Sequence, residues 1–245
     1  MPQNVTPANT NTAQPIRSLL IANRGEIAIR IAAAAQELGI RCVAVYTEDD
    51  RHSAHVRYAD DLVPLALPGV KGYLNGAEIV RLARATGCDA IHPGYGFLAE
   101  NAEFGRRCER AGITFVGPDS KALDLFGNKL KARELAGQCK VPLLKGTEGA
   151  TRLADAQAFL AQLNGAPAIL KAVAGGGGRV MRVVTSVDDL PEAFARCQSE
   201  AQSGFNNPDL YIEEYLPAAR HVEVQIVGDG NESVSYTHLT LPTKA

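Results

Sequence analysis

Lys171, four consecutive glycines (Gly175, Gly176, Gly177 and Gly178) and Arg179 are the residues whose types and spacing point most directly to chemistry. Residues 168–184 read AILKAVAGGGGRVMRVV: an apolar run ending at the lysine, the glycines, then a second β-branched run. β-formers on either side of residues with maximal backbone freedom predict strand, loop, strand. Glycine has no side chain to hold a ligand away from its N–H group, and successive N–H groups form an anion-binding concavity. Lys171 and Arg179 add positive charge at its two ends. A polyphosphate suits such a loop; taken alone, a glycine run is equally well a flexible hairpin turn.

Two other segments put polar groups at the ends of predicted strands. A strand over 18–22 runs into Asn23-Arg24-Gly25-Glu26, where the Asn23/Glu26 spacing predicts a capping box. Ile27, Ile31, Ala34, Ala35 and Leu38 then recur at helical spacing until Gly39. A strand over 41–46 follows, another over 61–65, and a helix capped by Asn75 and Glu78 that runs to Thr86. A strand over 90–92, a helix over 98–111 and a strand over 114–116 complete the half. Strands alternating with helices at this interval predict a parallel α/β sheet, with ligands at the carboxyl ends of its strands. Asn23-Arg24-Gly25-Glu26 and His92-Pro93-Gly94-Tyr95-Gly96 both fall there. The first strand is followed by Gly25 alone rather than GxGxxG, and Glu48 near the end of the second is weak support, so NAD binding becomes a minor alternative.

The 245 residues are 46% hydrophobic with a net charge of −2, which bounds the chain at one or two domains. Near-neutral charge leaves no electrostatic footprint for nucleic acid or anionic membranes, and no apolar run is long enough to span a bilayer. Five cysteines without a CxxC pair predict reduced, buried thiols in a cytoplasmic protein. Residues 1–15 carry no charged side chain and match neither a signal peptide nor a presequence, so they read as a disordered lead. His52 and His55 form HxxH with no third ligand near in sequence and read as structural.

Farther on, a helix over 128–139 follows Gly127, and Pro142 marks a junction near 127–142. Helices over 153–163 and 188–203 bracket the glycine unit. Residues 209–216 (DLYIEEYL) read as a strand. Residues 221–227 alternate, which predicts Val222, Val224 and Ile226 on a core face and His221, Glu223 and Gln225 on a polar one.

IANRGEIAIRI (21–31), HPGYGFLAEN (92–101), GNKLKAR (127–133), LKAVAGGGGRVMRVV (170–184) and YIEEYLPAARHVEVQIV (211–227) occur in one order and at one spacing. In these segments the chain resembles the biotin carboxylase family, the ATP-grasp component of biotin-dependent carboxylases. The resemblance implies an α/β fold: a Rossmann-like, parallel-sheet N-terminal (pre-ATP-grasp) domain over 16–127, then the first part of an ATP-grasp domain over 128–232. It implies ATP-dependent carboxylation of carrier-bound biotin with bicarbonate, which attacks the γ-phosphate of ATP. By the same resemblance Lys129, Lys171, Gly175, Gly176, Gly177, Gly178, Arg179 and Met181 contact ATP. Glu213 accepts from the adenine amino group, the backbone of Glu214, Tyr215 and Leu216 reads the ring edge, and His221 lies near the ribose. Tyr95 and Gly96 face the biotin and bicarbonate side. The cofactors implied are ATP, Mg2+ (or Mn2+) and biotin; the partners are a biotin carboxyl carrier domain, a carboxyltransferase and a second copy in a homodimer.

Two departures from the family pattern stand out. The family has glycine where this chain has Val180; if that position needs a positive φ, valine costs roughly 1–2 kcal/mol there. Residues 233–245 match nothing in the family and resemble a translated adaptor, so they are expected to lie outside the native fold. The metal ligands and general base would then fall beyond this sequence, which predicts a catalytically inactive fragment. The alternatives are a non-catalytic nucleotide-binding protein or another ATP-grasp ligase, against which HPGYGFLAEN argues.

Overall fold

A computed structural model describes residues 15–174, 180–220, 222, 224–228 and 233–236. The chain divides into two compact units, 1–135 and 136–245.

In the first unit, strand β1 (Ser18–Ile21) leads into helix α1 (Gly25–Glu37) and β2 (Arg41–Tyr46). Then come β3 (Asp61–Pro64), α2 (Gly69–Tyr73), α3 (Gly76–Ala85) and β4 (Ala90–His92). The unit continues with α4 (Ala102–Arg110), β5 (Thr114–Phe115) and α5 (Ser120–Phe126), and α6 (Lys129–Gln138) crosses the division. The five strands are parallel, in the order β3-β2-β1-β4-β5. Alternation along β1 explains why both faces are covered. Leu19 and Ile21 pack with Ala28, Ile31, Ala32 and Ala35 of α1, while Leu20 packs with Ile79 and Leu82 of α3 and Phe104 of α4. A strand buried on both sides reads as a continuous apolar run, as SLLI does.

Capping departs from expectation in two places. Arg24, in extended backbone, is the N-cap of α1 and no side chain caps that helix, so Asn23 and Glu26 form no capping box. Asn101 caps α4, its Oδ1 accepting from the Phe104 N–H at 2.8 Å, so this helix begins at Ala102 rather than near Leu98. Asn75 does cap α3 by accepting from the Glu78 N–H. Helix α5 was not anticipated. Its signal is Asp119 after Pro118, with Oδ1 accepting from the Ala122 N–H at 2.7 Å.

The second unit holds α7 (Leu153–Gln162), β6 (Ala168–Ala172), β7 (Met181–Val184), α8 (Leu190–Phe205) and β8 (Leu210–Glu214), followed by β9 (Gln225–Gly228) and β10 (Ser233–Tyr236). β7, β6 and β8 form an antiparallel sheet in that order. Leu170, Val184, Leu210 and Ile212 pack with Ala156 and Leu160 of α7 and with Leu190, Phe194 and Cys197 of α8. Along the outer edge of β8, Thr147 donates its N–H to Ile212 and Thr151 donates to Leu210.

Three expectations need correction here. Val222, Val224 and Ile226 are exposed rather than in a core: Val222 and Val224 precede β9, and Ile226 lies in the separate two-stranded sheet β9–β10. Ser233–Tyr236, expected outside the fold, supplies the second strand of that hairpin. Cys139 is exposed; Cys42, Cys88, Cys108 and Cys197 are buried free thiols. The disordered lead, residues 1–14 in particular, lies outside the described residues.

Candidate functional site

The sequence marks polar groups in both units.

In the first unit, β1 lies between β2 and β4, where the strand order reverses. Crevices at the carboxyl ends of strands beside such a switch point are where open α/β sheets bind ligands. The pairing of β1 with β4 extends to the Ala22 N–H, which donates to the His92 carbonyl at 2.9 Å. Asn23 and Pro93 therefore leave the sheet side by side. Asn23 is buried, at 3% exposure, and its Nδ2 donates to the carbonyls of Pro93 (2.7 Å) and Tyr95 (2.8 Å). Its Oδ1 accepts from the Arg24 N–H at 2.9 Å. The Tyr95 ring is exposed, and its hydroxyl donates to Glu26, which raises the phenol pKa.

The turn itself is tightly wound: Gly94 and Gly96 have φ of 66° and 67°, and Phe97 has φ of 38°. A Cβ on Gly94 would lie 2.7 Å from Asn23 Nδ2. The Gly94 N–H donates to His92 Nδ1 at 3.0 Å, which requires that nitrogen to be unprotonated. Burial lowers the His92 pKa and so favours that state.

A second layer lies behind the turn. Phe97 stacks on Tyr73 at 5.3 Å and 11°, and the Arg24 guanidinium carbon is 5.7 Å from the Tyr73 ring centroid. Arg24 donates to both Asp50 oxygens at 3.1 and 3.3 Å, and the Tyr73 and Ser53 hydroxyls also donate to that carboxylate. Burial raises the Asp50 pKa, but the hydrogen bonds from Arg24, Tyr73 and Ser53 outweigh it and leave the carboxyl below its usual value. His55 is buried, with its pKa lowered by burial.

In the second unit, register puts Lys171 opposite both Met181 and Tyr211, and Ile169 opposite both Val183 and Glu213. Directly opposed residues share a sheet face, so Lys171, Met181 and Glu213 lie on the face turned away from α7 and α8. Lys171 is diagonal to Glu213, and the two form an ion pair. Glu213 is 6% exposed, whereas Met181 is exposed. The Ala172 N–H donates to the Val180 carbonyl at 3.2 Å, extending the β6–β7 pairing by one residue. Val180 has φ of 55°. Its side chain packs against the helix-covered core. The conformation left open by the sequence is thus left-handed, an outlier for a β-branched residue.

Of the sequence-predicted residues, Lys171, Met181 and Glu213 come together on one sheet face, and Tyr95 and Gly96 sit in the switch-point turn. Lys129 opens α6, in the first unit, and Lys171 belongs to the second. The Glu214 N–H donates to the Lys145 carbonyl and the Tyr215 N–H to that of Pro167. Of the N–H donors expected to read a ring edge, only Leu216 makes no hydrogen bond among the described residues. Gly175, Gly176, Gly177, Gly178, Arg179 and His221 lie outside those residues. Asn23 and Arg24 lie in the segment that the sequence places at the strand ends, but there Asn23 reads as a helix cap rather than as the tie to the 93–96 turn, and Asp50 carries no signal in the sequence as a site-building residue.

Residues 15–123 match the biotin carboxylase N-terminal domain, and residues 128–238 match the carbamoyl-phosphate synthase L chain, ATP binding domain. This chain belongs to the biotin carboxylase family. It is 47% identical over 215 residues to biotin carboxylase 1 of Bacillus subtilis, covering 87% of this chain and 48% of that protein. It is 46% identical over 223 residues to the pyruvate carboxylase of that organism, covering 90% of this chain and 19% of the other. Among solved structures it is similar to the biotin carboxylase domain dimer of Hydrogenobacter thermophilus 2-oxoglutarate carboxylase, in complex with MgADP, ADP and bicarbonate. There the TM-score is 0.87 at 40% identity, over 91% of this chain and 49% of the other. The Campylobacter jejuni biotin carboxylase–β-γ-ATP complex gives 0.85 at 40% identity, over 92% and 51%. The chain thus spans about half the length of these biotin carboxylases and a fifth of the pyruvate carboxylase. Its fold is the Rossmann-like N-terminal domain followed by an ATP-grasp segment.

Proposed function

We propose that this chain supplies a nucleotide-binding face and an acceptor-side turn to ATP-dependent carboxylation of carrier-bound biotin by bicarbonate. The observation that carries the reading is the β6–β8 face, where Lys171, Met181 and Glu213 stand beside the start of the glycine loop. Its chemistry fits a purine nucleotide: a carboxylate for an exocyclic amine, a thioether for a ring and an ammonium for phosphate oxygens. Because Lys171 is bonded to Glu213, its ammonium serves the base and the phosphates nearest it. By the family resemblance, phosphate contacts are also assigned to Lys129 and to Gly175, Gly176, Gly177, Gly178 and Arg179. Leu216 offers its N–H to the ring edge, and His221 borders the ribose.

Bound Mg2+ would neutralise charge on the phosphates, and biotin on its carrier would be the acceptor. This chain's own residues position the reactants and stabilise charge, which is how proteins assist phosphoryl transfer. Tyr95 and Gly96 present a phenol and backbone to the acceptor. A carrier domain, a carboxyltransferase and a second copy are the partners, in the cytoplasm. Among the described residues no helix is long and apolar enough to cross a membrane.

Calorimetry with Mg-ATP and Mg-ADP tests the reading. Wild type should bind both. Glu213→Gln should weaken each by about tenfold to a hundredfold, the worth of a charge-assisted hydrogen bond. Failure of folded wild-type protein to bind either nucleotide would overturn it.

A further inference from the structure

Asn23 stands in a sequence motif to which the nucleotide chemistry gives no task, yet both ends of its side chain are bonded at the switch point. Its carboxamide is buried, and both ends are in use. Nδ2 bridges the Pro93 and Tyr95 carbonyls, and Oδ1 holds the Arg24 N–H. The two bridged carbonyls flank Gly94, whose missing side chain is what admits the carboxamide, at 2.7 Å from where a Cβ would be. No helix needs this asparagine, since α1 has no side-chain cap. What it holds is a turn 70 positions away.

We propose that Asn23 is a positioning residue for Tyr95: its carboxamide fixes the 93–96 turn so that the phenol is held against Glu26 at the carboxyl ends of β1 and β4. The chemistry is specific to an amide. A carboxylate at position 23 would turn a donor into an acceptor facing two carbonyls, whereas Oδ1 could still accept from Arg24. Glu26 then holds the phenol from one side while Asn23 holds its backbone from the other. The two motifs IANRGE and HPGYG thereby act as one device. The acceptor-facing role of that device rests on the function proposed above, and its mechanics do not.

The test uses the full chain with 13C-labelled tyrosine and amide exchange followed by NMR. In wild type the Tyr95 phenol should titrate above an ordinary tyrosine. In Asn23→Asp it should fall to the ordinary value near 10, as in Glu26→Gln, although Glu26 is intact. Amides of the 93–97 turn should exchange at least about tenfold faster, as expected when buried hydrogen bonds to a turn are lost. Protection of β1 and β2 amides should remain. Wild-type behaviour of Tyr95 and its turn in Asn23→Asp would overturn the proposal. So would equal loss of protection in turn and strands, which would make Asn23 a general stability residue; Asn23→Ser, a smaller uncharged change, repeats the measurement if Asn23→Asp does not fold. Added bicarbonate and free biotin separate the two readings. If Tyr95 in wild type responds to neither while Asn23→Asp still frees it, positioning stands and the acceptor-side assignment falls.

Discussion

The switch-point turn and the glycine hairpin solve opposite problems. In the turn, every unusual backbone angle is matched by a restraint: the left-handed Gly94 and Gly96 are glycines, Asn23 ties two carbonyls, and Phe97 is stacked on Tyr73. At the hairpin, the left-handed residue is a valine, restrained by one backbone hydrogen bond and partial packing. On the function proposed above, a turn that positions an acceptor benefits from being formed beforehand, whereas a segment that closes over phosphates gains from exchange between conformations. Strain in the first would degrade a fixed geometry; strain in the second shifts a population.

The two largest breaks in this comparison should be of similar size, and the first is at the ion pair that anchors the hairpin face. Lys171→Ala removes the charge-assisted hydrogen bond from Lys171 to the buried Glu213 carboxylate and should lower the stability of the second unit by about 1.5–3 kcal/mol, read from exchange of β6 and β8 amides. Adding Glu213→Gln should restore most of that loss. If it does not, the pair is not what the lysine contributes. Gly94→Ala comes next. It forces a side chain into a left-handed position, at about 1–2 kcal/mol, and against Asn23, so about 2–3 kcal/mol should be lost from the first unit in denaturant unfolding. Asn23→Ala should remove the clash and part of that cost in the double variant.

Acid sharpens the contrast. His55 and His92 have pKa values lowered by burial, so each is kept neutral in the fold while the unfolded chain protonates near pH 6.5. Their contribution is fully present above about pH 6.5 and is lost as pH falls toward their folded values. Each histidine adds a slope of up to about 1.4 kcal/mol per pH unit. The first unit should therefore soften between pH 7 and 5 while β6 and β8 keep their protection. Equal softening would count against this reading of the histidines. The smallest effect is expected from Val180→Gly, which relieves a conformation costing about 1–2 kcal/mol and gives up some packing. Mg-ATP affinity should rise by at most about tenfold in calorimetry, with the melting temperature nearly unchanged.

Much of the fold was legible because its signals are local. Periods of two and 3.6 placed β2, β4, α1 and α7 to within a residue or two, and the Asn75/Glu78 pair marked the start of α3 as expected. The site was legible as motifs but not as bonds. Asn23 looked like a local cap because sequence shows Glu26 three residues away and hides Pro93 and Tyr95 seventy and seventy-two away. The Lys171–Glu213 pairing depends on the register of β6 against β8, which neither strand reveals alone. The backbone sign at Val180 depends on where the hairpin pairing stops. Alternation over 221–227 predicts a buried face, yet burial needs a partner surface, and Val222, Val224 and Ile226 are exposed.

The strand order β3-β2-β1-β4-β5 has a consequence for synthesis. The central strand is made first, and both of its neighbours come later: β2 after α1, β4 only after some seventy further residues. Until β4 is made, the apolar SLLI run has a sheet partner on its β2 edge only. Parallel pairings of such long range form slowly, because the intervening chain must be ordered before contact rewards it. During translation the N-terminal unit therefore passes through a stage in which one edge of its future core strand lacks its partner. That stage ends when β4 docks and Asn23 meets the turn behind it.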